Sequence, residues 1–282
     1  MRIDSHQHFW RYVPAEYPWI GERMGVLKRD YLPCDLEPLL RTSGFDGTVV
    51  VQAQQATAET DWLLSLADTS AFVRGVVGWV DLRAPDVDEV LERYAARPKL
   101  VGVRHIVHDE PDDDFLLRPD FRHGLARLHG HGLVYDLLLF PKHLPRAVTV
   151  VAELPEQLFV LDHIAKPFIR DALVSPWRED LRRLAAFPNV SCKLSGMVTE
   201  ARWSDWQPRD IHPYLDTVLE AFGPRRLMIG SDWPVCLLAG DYARTLGVVV
   251  DWASRLSPAE RHGILGGNAA RVYGLDAGRL SR

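Results

Sequence analysis

Three consecutive valines lie in the stretch DGTVVVQA at residues 46–53, which lacks the alternation of a strand with one face in water. Such a run is typical of a parallel strand buried on both faces. Seven further runs of this kind follow or precede it: RIDSHQHF (2–9), VRGVVGWVDL (73–82), LVGVRHIV (100–107), GLVYDLLLF (132–140), QLFVLDHIA (157–165), NVSCKLSG (189–196) and RLMIGSDWP (226–234). Eight parallel strands are the number that closes an α/β barrel.

Longer segments with helical spacing separate the runs, for example residues 121–132 and residues 175–188. In the second segment, Ser175 followed by Pro176 predicts a helix N-cap and the first residue of the helix. No linker, charge block or internal repeat interrupts the alternation of strands and helices. The sequence therefore predicts an α/β protein that consists of one distorted (β/α)8 barrel domain of the TIM type over all 282 residues.

An insertion rich in Trp, Tyr and Pro follows the first strand, from about residue 10 to residue 34. It is too long for an ordinary loop between a strand and a helix. We expect it to act as a lid whose aromatic side chains, Trp10, Tyr17 and Trp19, form apolar walls beside the substrate.

The composition is that of an ordinary globular protein, with 47% hydrophobic and 25% charged residues. A formal net charge of -5 provides no basic surface for nucleic acid or for an anionic membrane. The three cysteines are too few and too scattered for a disulfide framework or a zinc knuckle, and no long apolar run or secretory signal is present. We therefore expect a cytoplasmic protein with a small-molecule partner.

Reactive groups of such barrels lie at the carboxyl ends of the strands. His6 and His8 project from the first strand to the same side, about 6 to 7 Å apart, so both imidazoles can bind one metal ion. Asp4 is expected on the same face, where it could accept the free ring N–H of a ligating histidine. The alternative is a pair of polar strand residues that bind no metal.

Two further groups occur near the ends of late strands. His163 follows an apolar run in VLDHIAKP, and Asp232 follows another in MIGSDWP. Each has an ordinary explanation, because His163 can be a core residue and Asp232 can cap a turn. In a barrel, however, both would meet His6 and His8 at one rim, and four converging groups favour a functional site.

Several of these motifs together carry a family resemblance. They are IDSHQHFW, RDYLPCDLEPLL, GVRH, LDHIAKP, CKLSG, IGSDWPV and GGNAARVYGL, and they span almost the whole chain in this order. The sequence resembles the amidohydrolase superfamily, in particular its branch of sugar-acid lactonases. The resemblance implies a distorted (β/α)8 barrel that hydrolyses a cyclic ester such as a fuconolactone.

The same resemblance implies that His6 and His8 match the metal pair of the first strand, with Asp232 as the acid of the last strand and His163 as the late histidine. The fourth strand offers Arg104 and His105 in place of a carboxylated lysine. At most one divalent ion is therefore expected, best matched by zinc, and a route without metal stays open.

Lactone opening needs an activated water, a stabilised oxyanion and a proton for the leaving alkoxide. We expect Asp232 to accept and return the proton, and His163 with Arg104 to polarise the carbonyl. The residues expected to select the hydroxylated ring are Gln52, Trp79, His105, Asp136, Lys193 and Trp19. Lys193 could instead be a solvated strand end, and Trp79 could simply pack in the core.

Two other functions fit the same residues. A decarboxylase of the same superfamily would use a similar rim, and a barrel without catalytic activity could bind a sugar acid or a protein. Barrels of this type often associate, so the chain could also form a homo-oligomer.

Overall fold

A computed structural model describes residues 1–275. All eight predicted strands are present, although each is shorter than the apolar run that predicted it. Their bounds are Ile3–Gln7 (β1), Gly47–Val51 (β2), Val73–Gly78 (β3), Leu100–His105 (β4), Val134–Leu137 (β5), Phe159–Leu161 (β6), Val190–Leu194 (β7) and Leu227–Ile229 (β8).

Helices follow the strands and cover the outside of the sheet. Their bounds are Pro33–Thr42 (α1), Thr57–Thr69 (α2), Val87–Ala95 (α3), Pro119–Arg127 (α4), Leu144–Glu153 (α5), Trp177–Ala185 (α6), Met197–Glu200 (α7), Pro208–Phe222 (α8), Tyr242–Ala253 (α9), Pro258–His262 (α10) and Asn268–Tyr273 (α11). Helix α6 begins at Trp177 with Pro176 as its N-cap, so the prediction of Ser175 as N-cap was wrong by one residue.

The strands form one sheet in the order β1 to β8, and every neighbouring pair is parallel. This arrangement confirms the (β/α)8 barrel. One apolar cluster lies inside it and includes Ile3, Val77, Val160 and Met228, with Val272 of α11 closing the cluster from one end. The larger apolar cluster lies between the strands and the surrounding helices.

The seam between β1 and β8 closes the barrel through individual hydrogen bonds instead of a regular ladder. The Ser5 hydroxyl donates to the carbonyl of Ile229 at 2.6 Å. Beyond the end of β8, the backbone N–H of Asp232 donates to the carbonyl of His6 at 2.8 Å, and that of His8 donates to Trp233 at 2.7 Å. The seam therefore brings the first and last strands together at the residues predicted to form the site.

The segment between β1 and α1 folds back on itself, and an antiparallel bridge joins Trp10 near its start to Tyr31 near its end. Trp10, Tyr17 and Tyr31 are buried, and the Tyr31 ring packs edge-on against Trp233 at 5.1 Å. The segment thus contacts the loop that follows β8, and its function as a lid stays a prediction. Within the described residues 1–275, no helix is both long and apolar enough to cross a bilayer.

Candidate active site

Three imidazoles surround one carboxylate oxygen at the carboxyl end of the barrel. The Oδ1 atom of Asp232 lies 3.3 Å from His8 Nε2, 3.7 Å from His6 Nε2 and 3.8 Å from His163 Nε2. All four side chains are buried, with at most 4% of each residue exposed. We call His6, His8, His163 and Asp232 the rim group.

Strand β1 reaches the rim group through an irregularity. The pairing of β1 with β2 shifts register between Asp4 and Gln7, so faces do not alternate strictly between Asp4 and His6. The Asp4 carboxylate accepts hydrogen bonds from the Ser231 hydroxyl at 2.6 Å and from the Tyr242 hydroxyl at 3.0 Å. The prediction that Asp4 orients a histidine ring was therefore wrong. Asp4 instead fastens the turn that carries Asp232.

Each imidazole of the rim group has a second contact that limits its orientation. His8 Nδ1 donates to the carbonyl of Val51 at 2.8 Å, because a carbonyl can only accept, and its Nε2 lies 3.3 Å from Oδ1 of Asp232. His163 Nδ1 lies 2.8 Å from the Ser195 hydroxyl. Since the hydroxyl can donate here, Nε2 of His163 can carry the proton toward the rim.

His163 stands in an unusual turn immediately after β6. Four consecutive residues from His163 to Lys166 have positive φ angles between 48° and 61°, the left-handed region that residues other than glycine rarely adopt. Each such residue costs on the order of 1 kcal/mol. The turn is held by the Trp177 indole, which donates to the Ile164 carbonyl at 2.7 Å, and by an ion pair between Lys166 and Glu200 at 2.8 Å.

Two glycines make room for the rim histidines. A Cβ atom on Gly196 would lie 2.5 Å from Nδ1 of His163, and Gly196 also has a φ of +63°. A Cβ atom on Gly230 would lie 2.8 Å from Cβ of His6. Side chains at these positions would displace the two imidazoles, so the loops after β7 and β8 must approach them as bare backbone.

Burial sets the protonation of the rim group. It lowers the pKa of His6 and of His163 well below the ordinary value, in spite of the nearby carboxylates of Asp162 and Asp232, so both imidazoles are neutral. Burial alone would raise the pKa of Asp232, but His163, His8 and Lys166 outweigh it and lower that pKa. An ionised carboxylate therefore faces the neutral imidazoles of His6 and His163.

Beneath the rim group lies a set of buried charges that we call the inner charge cluster. It consists of Arg104, Asp136, Asp162 and Lys193. The Lys193 ammonium lies 2.5 Å from Asp136 and 3.0 Å from Asp162, and the Arg104 guanidinium donates to Asp162 at 3.0 Å. Two carboxylates are thus paired with two cations, which offsets the cost of burying each charge.

Both carboxylates of the inner charge cluster are buried completely, but their pKa values move in opposite directions. Burial raises the pKa of Asp136 to about 6, although Lys193 opposes the change and the Tyr273 hydroxyl of α11 donates to both oxygens at 2.9 Å. Burial alone would also raise the pKa of Asp162, but Lys193 and Arg104 hold it well below the usual range.

Asp162 of the inner charge cluster was not predicted from the sequence, nor were Ser195 and Tyr273, which contact His163 and Asp136. Asp162 directly precedes His163 in the motif LDHIAKP, so its neighbour was the available signal. Ser195 lies near the end of the run NVSCKLSG, and its place at a strand end was the available signal. Nothing local in the sequence indicates that Tyr273 contacts Asp136, since the two are 137 residues apart.

The remaining predicted site residues lie at different distances from the rim group. Gln52 accepts from the Arg104 guanidinium through its side-chain oxygen at 2.9 Å and so borders the inner charge cluster. Trp79 and His105 form a pair, joined by the indole N–H at 3.3 Å, and the His105 ring stacks on Phe115. No contact joins that pair to the rim group among residues 1–275.

Trp19 belongs to the aromatic cluster of the segment after β1. It packs edge-on against Trp10 at 5.9 Å, and the Trp10 ring lies 6.5 Å from that of His8. Trp19 therefore contacts Trp10, and it is the Trp10 ring that neighbours His8 of the rim group. Its predicted contact with substrate stays a prediction, as do those of Trp79 and His105.

The donor atoms of the rim group suit one divalent ion. His6 Nε2 and His8 Nε2 lie 3.2 Å apart, and both are within 3.7 Å of Asp232 Oδ1. Ligands bound at about 2.1 Å to one tetrahedral ion lie about 3.4 Å apart. His8 Nε2 also faces the carboxylate oxygen at 3.3 Å, and a buried contact between these two atoms requires a cation or a proton between them. His6, His8 and Asp232 would hold the ion.

Comparison with known proteins agrees with this geometry. The family model described as amidohydrolase matches residues 3–275. An L-fucono-1,5-lactonase of Burkholderia multivorans is 48% identical over 288 residues, which cover 98% of this chain and 96% of that protein. An L-fucono-1,5-lactonase of Burkholderia ambifaria is 39% identical over 280 residues, with 98% and 96% covered.

A solved structure is similar to this chain in fold as well as in sequence. The crystal structure of an amidohydrolase from Burkholderia multivorans with bound zinc has a TM-score of 0.94 and 48% sequence identity, and the match covers 97% of this chain and 99% of that chain. The family model over residues 3–275 and the relative that is 48% identical over nearly its whole length show that the chain belongs to the amidohydrolase family.

Proposed function

We propose that this protein is a lactonase that hydrolyses the ring ester of a sugar-acid lactone such as fuconolactone. One observation carries the proposal: a single carboxylate oxygen, Oδ1 of Asp232, lies within 3.8 Å of ring nitrogens from three imidazoles. The Asp232 oxygen can accept one proton, and the imidazoles around it can bind a cation or donate to an oxyanion. The identity of 48% to a lactonase supports the same chemistry.

A divalent ion, with zinc as our proposal, would be bound by His6, His8 and Asp232. When bound, it would polarise the ester carbonyl and make a nearby water more acidic. Three protein ligands leave a position open for substrate or water, which is the arrangement of catalytic sites.

Asp232 is the proposed general base and then the general acid. Its ionised carboxylate accepts a proton from the attacking water, whose oxygen forms a bond to the ring carbonyl carbon. When the ester C–O bond breaks, the same carboxylate returns the proton to the ring oxygen. One water is consumed and the product is the open hydroxy acid.

His163 and Arg104 are the proposed groups that stabilise the oxyanion. With Ser195 donating to Nδ1, His163 can donate from Nε2 to the carbonyl oxygen. Arg104 is 3% exposed and its Nη1 lies 3.4 Å from His6 Nε2, so its charge acts from below the rim. A preorganised donor of this kind is typically worth about 3 kcal/mol in the transition state.

Selection of a hydroxylated ring is proposed for Gln52, Trp79, His105 and Trp19. Asp136 and Lys193 were expected in the same set. Both are 0% exposed and contact each other, so their positions favour a role beneath the reacting groups. The cytoplasm as location and self-association of the chain stay predictions from the sequence.

The test is a panel of five- and six-membered aldonolactones of fuconic, rhamnonic, galactonic and gluconic acids, assayed with a pH indicator. Ring opening releases one proton because the carboxylic acid ionises, and we expect turnover of at least one lactone at 1 s⁻¹ or faster, on the order of typical enzymes. Carbon dioxide release from an unsaturated acid would instead favour the decarboxylase. Binding of a sugar acid without turnover would favour the barrel that only binds.

A further inference from the structure

A cavity lies outside the rim group, between the loops that follow β6 and α7 and the start of α8. Its volume is about 410 Å³, which is in the range of small-molecule sites. Arg170 from the loop after β6, Arg202 from the loop after α7 and Arg209 from the first turn of α8 all line it. Three segments of the barrel thus bring arginines to one cavity. We call it the arginine cavity.

The charges of these three arginines are not paired within the protein. Elsewhere an arginine typically contacts a carboxylate or an aromatic ring, as Arg182 does with Glu220 at 3.0 Å. In the part of the chain that the structure describes, the side chains of Arg170, Arg202 and Arg209 make no hydrogen bond, ion pair or aromatic contact. A guanidinium group has five N–H donors and no acceptor, so these donors are available to a ligand.

Two carboxylates also line the arginine cavity, but neither pairs with an arginine. Asp210 accepts the backbone N–H of Gln207 at 2.8 Å and so caps α8. Asp205 forms no ion pair among the described residues. Helix α8 is 15 residues long and begins at the cavity, so its dipole adds positive potential there. The lining as a whole is therefore cationic.

The apolar part of the lining comes from Trp206 and Tyr214, which are both buried. Their polar atoms already have partners, because the indole donates to the Ala239 carbonyl at 2.7 Å and the hydroxyl donates to the Leu173 carbonyl at 3.2 Å. Recognition of a charged ligand is therefore left to the arginines. A formal net charge of -5 provides no wider basic surface for a polyanion, so the ligand is a small molecule.

The arginine cavity borders two loops that are already joined by the ion pair between Lys166 and Glu200 at 2.8 Å. Arg170 follows Lys166 by four positions, and Arg202 follows Glu200 by two. An anion held between the two arginines would join the same loops a second time. Because such a ligand binds only the folded protein, it is expected to raise the melting temperature.

We propose that the arginine cavity binds a small dianion, a phosphate ester or a dicarboxylate, through charge-assisted hydrogen bonds from Arg170, Arg202 and Arg209. Arginine suits both anions because its planar fork donates two parallel N–H groups to two oxygens. Three cations and the one carboxylate that caps nothing, Asp205, leave two positive charges to balance, so a dianion matches the lining better than a single carboxylate. The proposal does not depend on lactone hydrolysis.

The experiment compares Arg202→Gln/Arg209→Gln with wild type by isothermal titration calorimetry in a buffer of low ionic strength without phosphate. The probes are inorganic phosphate, succinate and, as a singly charged reference, acetate. The control is Arg225→Gln/Arg261→Gln, which removes the same charge from two other exposed arginines whose side chains have no partner in the described residues. All four positions are exposed, so both variants are expected to fold.

Three results are expected. Phosphate or succinate should bind wild type and the control with a Kd of about 1 mM or tighter, and acetate should bind about 10-fold more weakly or not at all. Arg202→Gln/Arg209→Gln should lower the affinity for the same dianion about 10-fold or more. That dianion at about 10 mM should raise the melting temperature of wild type and the control by about 2 °C or more, and that of Arg202→Gln/Arg209→Gln by less than half as much.

Four outcomes would overturn the proposal. Equal affinity of Arg202→Gln/Arg209→Gln and wild type would place the probe elsewhere, such as at the rim group. An equal loss in the control would show an effect of overall charge. Acetate that binds as tightly as the dianions would contradict the charge of the ligand, and so would the absence of binding of either dianion at about 10 mM. If Arg202→Gln/Arg209→Gln does not fold, Arg170→Gln replaces it, with an expected loss of about 3-fold or more and the same interpretation.

Discussion

The rim group and the inner charge cluster are equally buried, yet their charges are arranged differently. In the inner charge cluster each carboxylate contacts an ammonium or a guanidinium group within 3.0 Å. In the rim group Asp232 faces three imidazoles, and no lysine or arginine of residues 1–275 lies within 4.0 Å of it. The inner charge cluster thus pairs its carboxylates with cations, whereas the rim group holds one carboxylate among imidazoles.

The largest expected effect comes from His6→Ala in the rim group. Loss of one of three ligands should reduce bound zinc from about one per chain to less than about 0.1 after dialysis, because two ligands rarely retain the ion. Elemental analysis measures this directly, with the exposed His123→Ala as control. Wild-type protein that contains no divalent ion and is fully active with chelator would contradict the metal part of the comparison.

Asp232→Asn removes the one unbalanced charge and keeps the shape of the side chain. Asp232 has a φ of 56°, a conformation that asparagine tolerates, so the fold should be preserved. We expect kcat to fall about 100-fold or more, because the proton acceptor is lost. The measurement is steady-state kinetics with the melting temperature as control. Turnover equal to that of wild type would show that the base is elsewhere.

Ser195→Ala tests whether the rim group needs its outer contacts. The variant removes the hydroxyl 2.8 Å from Nδ1 of His163 and leaves that buried nitrogen without its partner. We expect kcat to fall about 10-fold, with a small change in melting temperature. Ser65→Ala, on the exposed face of α2, is the matched control. An unchanged kcat would mean that the left-handed turn alone orients His163.

Glu59→Gln should have the smallest effect on turnover, a change within about 2-fold. It tests a buried carboxyl group that belongs neither to the rim group nor to the inner charge cluster. Glu59 is a buried carboxylate that accepts backbone hydrogen bonds from Ala53 and Gln54 at 2.8 to 3.2 Å, away from any imidazole of the rim group. Burial raises the pKa of Glu59 to about 8. A buried carboxyl group without imidazole neighbours is thus expected to affect stability and not catalysis.

The sign of that stability effect follows from linkage. The folded protein favours protonated Glu59, whereas the unfolded chain ionises it near its ordinary pKa. Its contribution is therefore complete at acid pH, falls by up to about 1.4 kcal/mol per pH unit as the pH rises, and is lost above the folded-state pKa. Urea unfolding between pH 5 and pH 9 measures it. A wild type and a Gln variant with parallel pH profiles would contradict the assignment.

Much of the fold could be predicted because a short stretch of sequence is enough to identify each strand. Uninterrupted runs such as VVV in β2 predict buried parallel strands, and eight of them determine the barrel. The rim group could also be predicted, because His6, His8, His163 and Asp232 all follow or end such runs. Barrel closure then brings strand ends together without further information.

The errors and omissions concern features that strand periodicity does not encode. The register shift after Asp4 turns its carboxylate toward Ser231, which a strict alternation of faces cannot anticipate. Lys193 was expected to select the substrate ring, with a solvated strand end as the alternative, whereas its ammonium is buried between the carboxylates of Asp136 and Asp162. Such pairings depend on side chains that are far apart in sequence, and only the closed barrel reveals them.

The seam between β1 and β8 has a consequence for when the site can form during synthesis of the chain. The hydrogen bond from Asp232 to the His6 carbonyl spans nearly the whole described chain, so a ribosome exposes one half of the site long before the other. Contacts of such sequence separation form late, because the intervening chain must first be ordered. Nascent chains that lack the eighth strand therefore carry both histidines of the first strand without a partner carboxylate, and activity begins only when the ring is sealed.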